Sequence, residues 1–138
     1  MTKKQLSLFV LFIVCIVFLS FHMNSFKKIS LANDMLNDIN FDKVNSGFVV
    51  DSASGTIRDL DEEKLTTLLS TLKTIDLKPV QKRSESVAMD YIVSLSGSGG
   101  AFKLYISTDG SISLENKLEE TYQVVDNKMF DTLLHMIT

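Results

Sequence analysis

No tryptophan occurs in the chain, and it has only one cysteine, one proline and two histidines. Each shortage excludes something. The cysteine, Cys15, lies in the first apolar run, so everything after it must hold together by packing, without a disulfide. The histidines are His22, at the end of that run, and His135, near the C-terminus. One histidine and no cysteine beyond the run make no transition-metal set. With His135 the only base on offer, no Ser-His-Asp grouping assembles either. Without tryptophan, the aromatic part of any core must come from Phe and Tyr. Pro79 is the only proline, and it imposes extended chain through Lys78. There is no internal repeat and no long low-complexity tract.

What the chain has in abundance is one dense apolar stretch. Residues 6–23, LSLFVLFIVCIVFLSFHM, carry no charge and are bracketed by Lys3-Lys4 and Lys27-Lys28. A membrane-spanning helix needs about 17 to 25 such residues, and the flanking lysines can snorkel to the headgroups. The side chains expected to face lipid include Leu6, Phe9, Leu11, Ile13, Cys15, Ile16, Phe18 and Phe21. Signal cleavage wants small residues soon after the apolar core. Phe18-Leu19-Ser20 has a bulky residue where a small one is needed, and Ser30-Leu31-Ala32 lies beyond Lys27-Lys28. The stretch therefore reads as an uncleaved anchor. Val14 before Cys15 is too large for a lipoprotein cleavage site, so Cys15 reads as a small hydrophobe within a helix. The α-amino group, Lys3 and Lys4 on one side outweigh Lys27 and Lys28 on the other by a small margin. The positive-inside rule then puts the N-terminus in the cytoplasm and the remainder outside.

Taking Lys3 and Lys4 from the 14 basic residues leaves 12 against 17 acidic ones, a net charge of −5 from Phe26 onward. Such a domain is a poor match for nucleic acid, which is bound through clustered positive charge. It is equally ill suited to lying flat on anionic lipid. The organisation expected is a basic tail (1–5), a transmembrane anchor (6–23), a juxtamembrane helix or stalk (24–40) and one small domain (41–138). For the 24–40 segment the basis is the stripe Ile29, Ala32, Leu36 and Ile39, which suits equally a continuation of the membrane helix and a first helix packed on the domain.

Within the domain, 48–51 and 56–58 read as a strand pair around the turn SASG. A helix is expected over 59–75, with Leu65, Leu68, Leu69, Leu72 and Ile75 on one face. Its cap is Asp59 paired with Glu62, or alternatively Asp61. Its acidic start lacks the glycine and spaced carboxylates of a calcium loop. The stretch 87–95 alternates as a half-buried strand. The run SGSGG at 96–100 has no following lysine and helix to cradle phosphate, so it reads as a flexible hairpin turn into a strand at 101–106. Asp109-Gly110 signals a second hairpin into 111–114, Glu119-Glu120 a further turn, and 122–124 another strand. Asp126 caps a last helix with Phe130, Leu133, Leu134 and Ile137 as its apolar stripe, widened by Met129 and Met136. The expected fold is α+β: a transmembrane helix, then an antiparallel sheet of about five or six strands with two helices packed on it.

Candidate partner-binding residues are Lys78, Lys82 and Arg83, a small basic cluster after the helix, and Asp90 with Tyr91. Asp90 interrupts a strand, where it either guards a sheet edge or bonds a neighbouring loop. Catalytic, metal and cofactor residues are not expected.

The order of elements resembles small envelope proteins of Gram-positive bacteria of the YhfM-like kind. The pieces that carry the likeness are DEEKL at 61–65, DYIV at 90–93, LYI at 104–106, TYQV at 121–124 and Leu133-Leu134. The resemblance implies fold and location only. The function expected is a non-enzymatic, membrane-anchored extracytoplasmic module that binds another envelope protein or a peptide, the latter as an added strand on a sheet edge. The alternative is self-protection against a membrane-active peptide.

Overall fold

The computed structural model describes residues 2–25, 27–80, 89–117 and 120–138. The expected loop at 81–86, the first two residues of the strand expected at 87–95, and Glu119 lie outside the described residues.

Helix α1 (Lys3–Ser25) is followed by the two-residue strand β1 (Ile29–Ser30), a π-helical turn (Leu31–Met35) and a 3-10 turn (Phe41–Lys43). Then come β2 (Val44–Asp51), β3 (Ile57–Asp59), α2 (Glu62–Thr74), β4 (Asp76–Pro79), β5 (Tyr91–Gly97), β6 (Gly100–Ile106), β7 (Ser111–Leu114), a 3-10 turn (Glu115–Lys117), β8 (Tyr122–Val124) and α3 (Asn127–Ile137). The strands form one sheet in the order β1-β4-β8-β7-β6-β5-β2-β3, and every neighbouring pair is antiparallel.

The α+β class is as expected, but the sheet has eight strands among the described residues rather than five or six. The two unforeseen strands are β1 and β4. β1 is too short to show a two-residue alternation, and β4 offers only Leu77 as a buried apolar residue; each exists because a distant partner pairs with it. β4 runs between β1 and β8. The Val80 amide donates to the Thr121 carbonyl, so every second donor of this strand faces β8. The N–H that Pro79 lacks falls on the opposite side, where β1 has already ended, and costs no ladder bond. The helix inventory also differs. Residues 24–40 do not form one juxtamembrane helix. After α1 the chain pairs into the sheet at Ile29 and coils through the π-helical turn, which buries Leu31 and Ala32. The Ser30 hydroxyl caps that turn, accepting from the Asn33 amide. The stripe at 29, 32, 36 and 39 is real as apolar spacing, but it serves the packed body.

α2 and α3 pack on each other against one face of the sheet. The side chains beneath them run in cross-strand rows: Val49, Val93, Leu104 and Leu114 are opposite one another on four successive strands and at most 2% exposed. α2 adds Leu65, Leu68, Leu69 and Leu72; α3 adds Phe130, Leu133, Met136 and Ile137. Asp61, not Asp59, caps α2, its carboxylate accepting from the Lys64 amide at 2.8 Å. Asp126 caps α3 as expected. At the other end of α3, Arg58 donates to the carbonyls of Ile137, at 2.7 Å, and Thr138. A cation on the last carbonyls suits the negative end of the helix dipole.

The SGSGG turn is not loose. The Asn40 amide donates to the Gly99 carbonyl at 3.0 Å. A Cβ on Gly99 would stand 2.1 Å from the Asn40 carbonyl oxygen, and one on Gly97 2.1 Å from that of Lys43. These glycines let the β5–β6 hairpin press backbone against backbone on the segment entering β2.

Candidate functional site

α1 carries the most unusual surface of the molecule. It is the one helix among the described residues long and apolar enough to cross a membrane, and none of its span is buried inside the protein. Its large apolar side chains range from 45% exposed at Ile13 to 74% at Leu8 and Met23. Leu6, Phe9, Leu11, Ile16, Phe18 and Phe21 all belong to this exposed set, and Cys15 is an exposed free thiol. Its place near the N-terminus is that of an anchor or a signal sequence.

The residues picked out for partner binding do not converge. Lys78 lies exposed on β4, whereas Asp90 and Tyr91 stand at the start of β5, with β8, β7 and β6 between. Four strand spacings of about 4.8 Å separate the two places by roughly 19 Å. Lys82 and Arg83 lie outside the described residues. Asp90 guards no edge, because β5 is paired on both sides. It bonds a loop instead. Its Oδ2 accepts from the Thr108 amide at 2.7 Å, the Thr108 hydroxyl at 2.9 Å and the Ser107 hydroxyl at 3.1 Å. The Thr108 amide, above all, holds the Asp90 carboxyl below the usual carboxylate range. The backbone of Asp90 extends the same clasp, donating to the Ile106 carbonyl and accepting from the Ser52 amide. Asp51 does similar work one turn away, accepting from the Ala53 and Ser54 amides. These aspartates hold the turns at one end of the sheet.

Sequence reasoning missed the hollows. The first, about 170 Å³, lies where the 35–39 segment faces β6 and β7; Leu36, Ile39, Phe102 and Leu114 line it, with Asp38 and Asn116 beside them. The Lys103–Glu115 ion pair, at 2.9 Å, sits on its rim. A second hollow of about 590 Å³ shares Leu36, Asp38 and Ile39 and adds Asn33, Asn37, Asn40 and the Lys73–Asp42 pair. Both ion pairs are exposed, and screening by solvent leaves them little to contribute to stability. The third, about 550 Å³, lies between α2 and α3 and includes Glu63, Lys64, His135 and Met136. His135 is solvent-exposed, as its place off the apolar stripe implied. These hollows are open surfaces; the first two set amides and carboxylates around apolar side chains, and the third is mostly polar and charged. Among the described residues, no three His, Cys, Asp or Glu side chains are grouped to hold a metal ion. The one signal for the first two hollows was the Asn- and Asp-rich run at 33–42.

The outer strands limit one mode of binding. The sheet ends in β1 and β3, two and three residues long. Edges this short are a common way of denying a foreign strand a template.

No family model matches the chain, and no curated protein matches it. Among solved structures, it is similar to a candidate lipoprotein from Clostridium perfringens, with a TM-score of 0.50 and 11% identity, over 80% of this chain and 98% of that one. At that identity the likeness is one of fold. Membership of the YhfM-like family is not shown; a fold shared with a bacterial candidate lipoprotein is the coarser relation that stands.

Proposed function

We propose that the chain is a non-enzymatic, membrane-anchored module of the cell envelope, with its α+β body outside the cytoplasmic membrane and engaged with another envelope protein or a peptide. One observation carries this reading: a helix apolar on every side, with nothing of the body covering it, leads within three residues into a domain whose own core is closed. An uncovered apolar surface of this size is at rest in lipid. The partner is met through the hollows and faces of the body, since the outer strands are too short for strand addition.

The test is to express the full chain in a bacterial host and follow it through alkaline carbonate extraction. Protease is then added to intact spheroplasts, and crosslinking to whole cells. Retention in the membrane, digestion of the body without lysis and a reproducible crosslinked partner are expected. Release by carbonate sinks the anchor, protection until lysis reverses the topology, and absence of any specific crosslink removes the interaction role.

A further inference from the structure

The body carries its charge unevenly, and the chain enters it at one particular edge. α1 ends at Ser25 and β1 begins at Ile29. Four Cα steps join them, a reach of no more than about 14 Å. β1 is the outermost strand on its side of the sheet. Whatever plane holds α1 therefore lies within that reach of the β1–β4 edge.

That edge is basic. Ile29 pairs with Leu77 and Ser30 with Asp76, so one further step of the same register sets Lys28 beside Lys78. Lys27, Lys28 and Lys78 are all exposed. Two acids share the edge, Asp34, which accepts the Ser30 amide at 2.7 Å, and the exposed Asp76, so the three lysines leave a small basic excess. The opposite edge is acidic. Asp59 on β3 is followed by Asp61, Glu62 and Glu63 at the start of α2, all exposed, with Lys64 next to them; Arg58 there is turned to the end of α3. Seven strand spacings, roughly 33 Å, separate β1 from β3.

We infer that the β1–β4 edge is a docking surface for anionic phospholipid headgroups, so that the sheet stands on the membrane by this edge with the acidic β3 edge held away. This rests on the anchored reading of α1 and adds to it an orientation. It also reconciles a net acidic body with a membrane address. Asp59, Asp61, Glu62 and Glu63 are at the far side, beyond a Debye length of the headgroups, while at the near edge Lys27, Lys28 and Lys78 outnumber Asp34 and Asp76.

The test uses the full chain in vesicles of phosphatidylcholine with phosphatidylglycerol, in a Cys15→Ser background with one fluorophore-labelled cysteine. Thr74→Cys reports from the end of α2 beside β4, and Ile57→Cys from β3; both positions are exposed. The quencher is a lipid spin-labelled on its headgroup. Quenching several-fold stronger at position 74 than at 57 is expected. That difference should shrink in the double variant Lys28→Glu with Lys78→Glu, and also for the unaltered lysines in phosphatidylcholine alone, an arm that needs no change to the edge. Equal quenching at both positions, stronger quenching at 57, or indifference to lipid charge overturns the proposal while the chain still floats with the vesicles. Failure to float overturns it together with the anchor.

Discussion

α1 and α3 are built from the same kinds of residue and have opposite fates. The buried residues of α3, Phe130, Leu133, Met136 and Ile137, are at most 9% exposed, whereas no large apolar residue of α1 is less than 45% exposed. The difference lies in arrangement. α3 alternates its apolar positions with Lys128, Asp131, Thr132 and His135, so one stripe can be laid on the sheet and the rest left in water. α1 is apolar all the way round, and no single packing partner could cover it. Apolar content says that a segment avoids water; periodicity says whether protein or lipid replaces it.

The comparison can be broken from either side. The largest effect is expected from charging α1. Ile13→Arg with Ile16→Arg puts two guanidinium groups near the middle of the span, at about 3 kcal/mol each for insertion. The carbonate-resistant fraction should collapse, while thermal melting of the body stays put; a fall in body stability of similar size would mean that α1 is part of the core. The converse change is Leu104→Ala, which empties a fully buried position in the central row and should cost about 3 kcal/mol. Urea denaturation should register it with no change in membrane retention.

Glycine chemistry sharpens the contrast within the body. Gly99→Ala forces a methyl against the Asn40 carbonyl and should destabilise by about 2 kcal/mol, within the range for overpacking. Gly55→Ala meets no atom within 4 Å and suffers only from its φ of 69°, so about 1 kcal/mol is expected. Similar losses at both sites, again read by urea, would show the β5–β6 turn to be as free as its composition suggested.

The smallest effect is at Asp90. Its carboxyl is held below the ordinary value, so the charged clasp on Ser107 and Thr108 contributes above the unfolded pKa, near 3.9. The contribution is lost as pH falls through the lower folded value. Asp90→Asn should cost about 1 kcal/mol at neutral pH and flatten the acid limb of the stability profile. An acid limb unchanged from that of the parent would assign the loss to other carboxylates.

Much of the architecture was legible because its signals are local. Asp126 and the stripe behind it announced α3, and Asp109-Gly110 announced the β6–β7 turn, where Gly110 takes a φ of 91°. The helix at α2 was plain, although Asp59 and Asp61 competed for its cap until the fold drew Asp59 into β3. Asp90 was noticed as a polar interruption, and of the two structural roles open to it the loop clasp is the one taken. The hollows were not legible, since Leu36 and Ile39 are brought to Phe102 and Leu114 across more than sixty residues of chain.

By itself the amino-acid sequence determined which segment avoids water on every side, that two amphipathic helices lie in the body, and that the chain reverses at Asp109-Gly110. Each depends on residues within one or two turns of one another. Only the tertiary structure decided that Ile29 and Ser30 join the sheet, that a π-helical turn follows them, and that β4 inserts between β1 and β8. Those outcomes are set by pairings between strands far apart in the chain, whose energy appears only when both partners are present. A two-residue strand has no pattern of its own to declare.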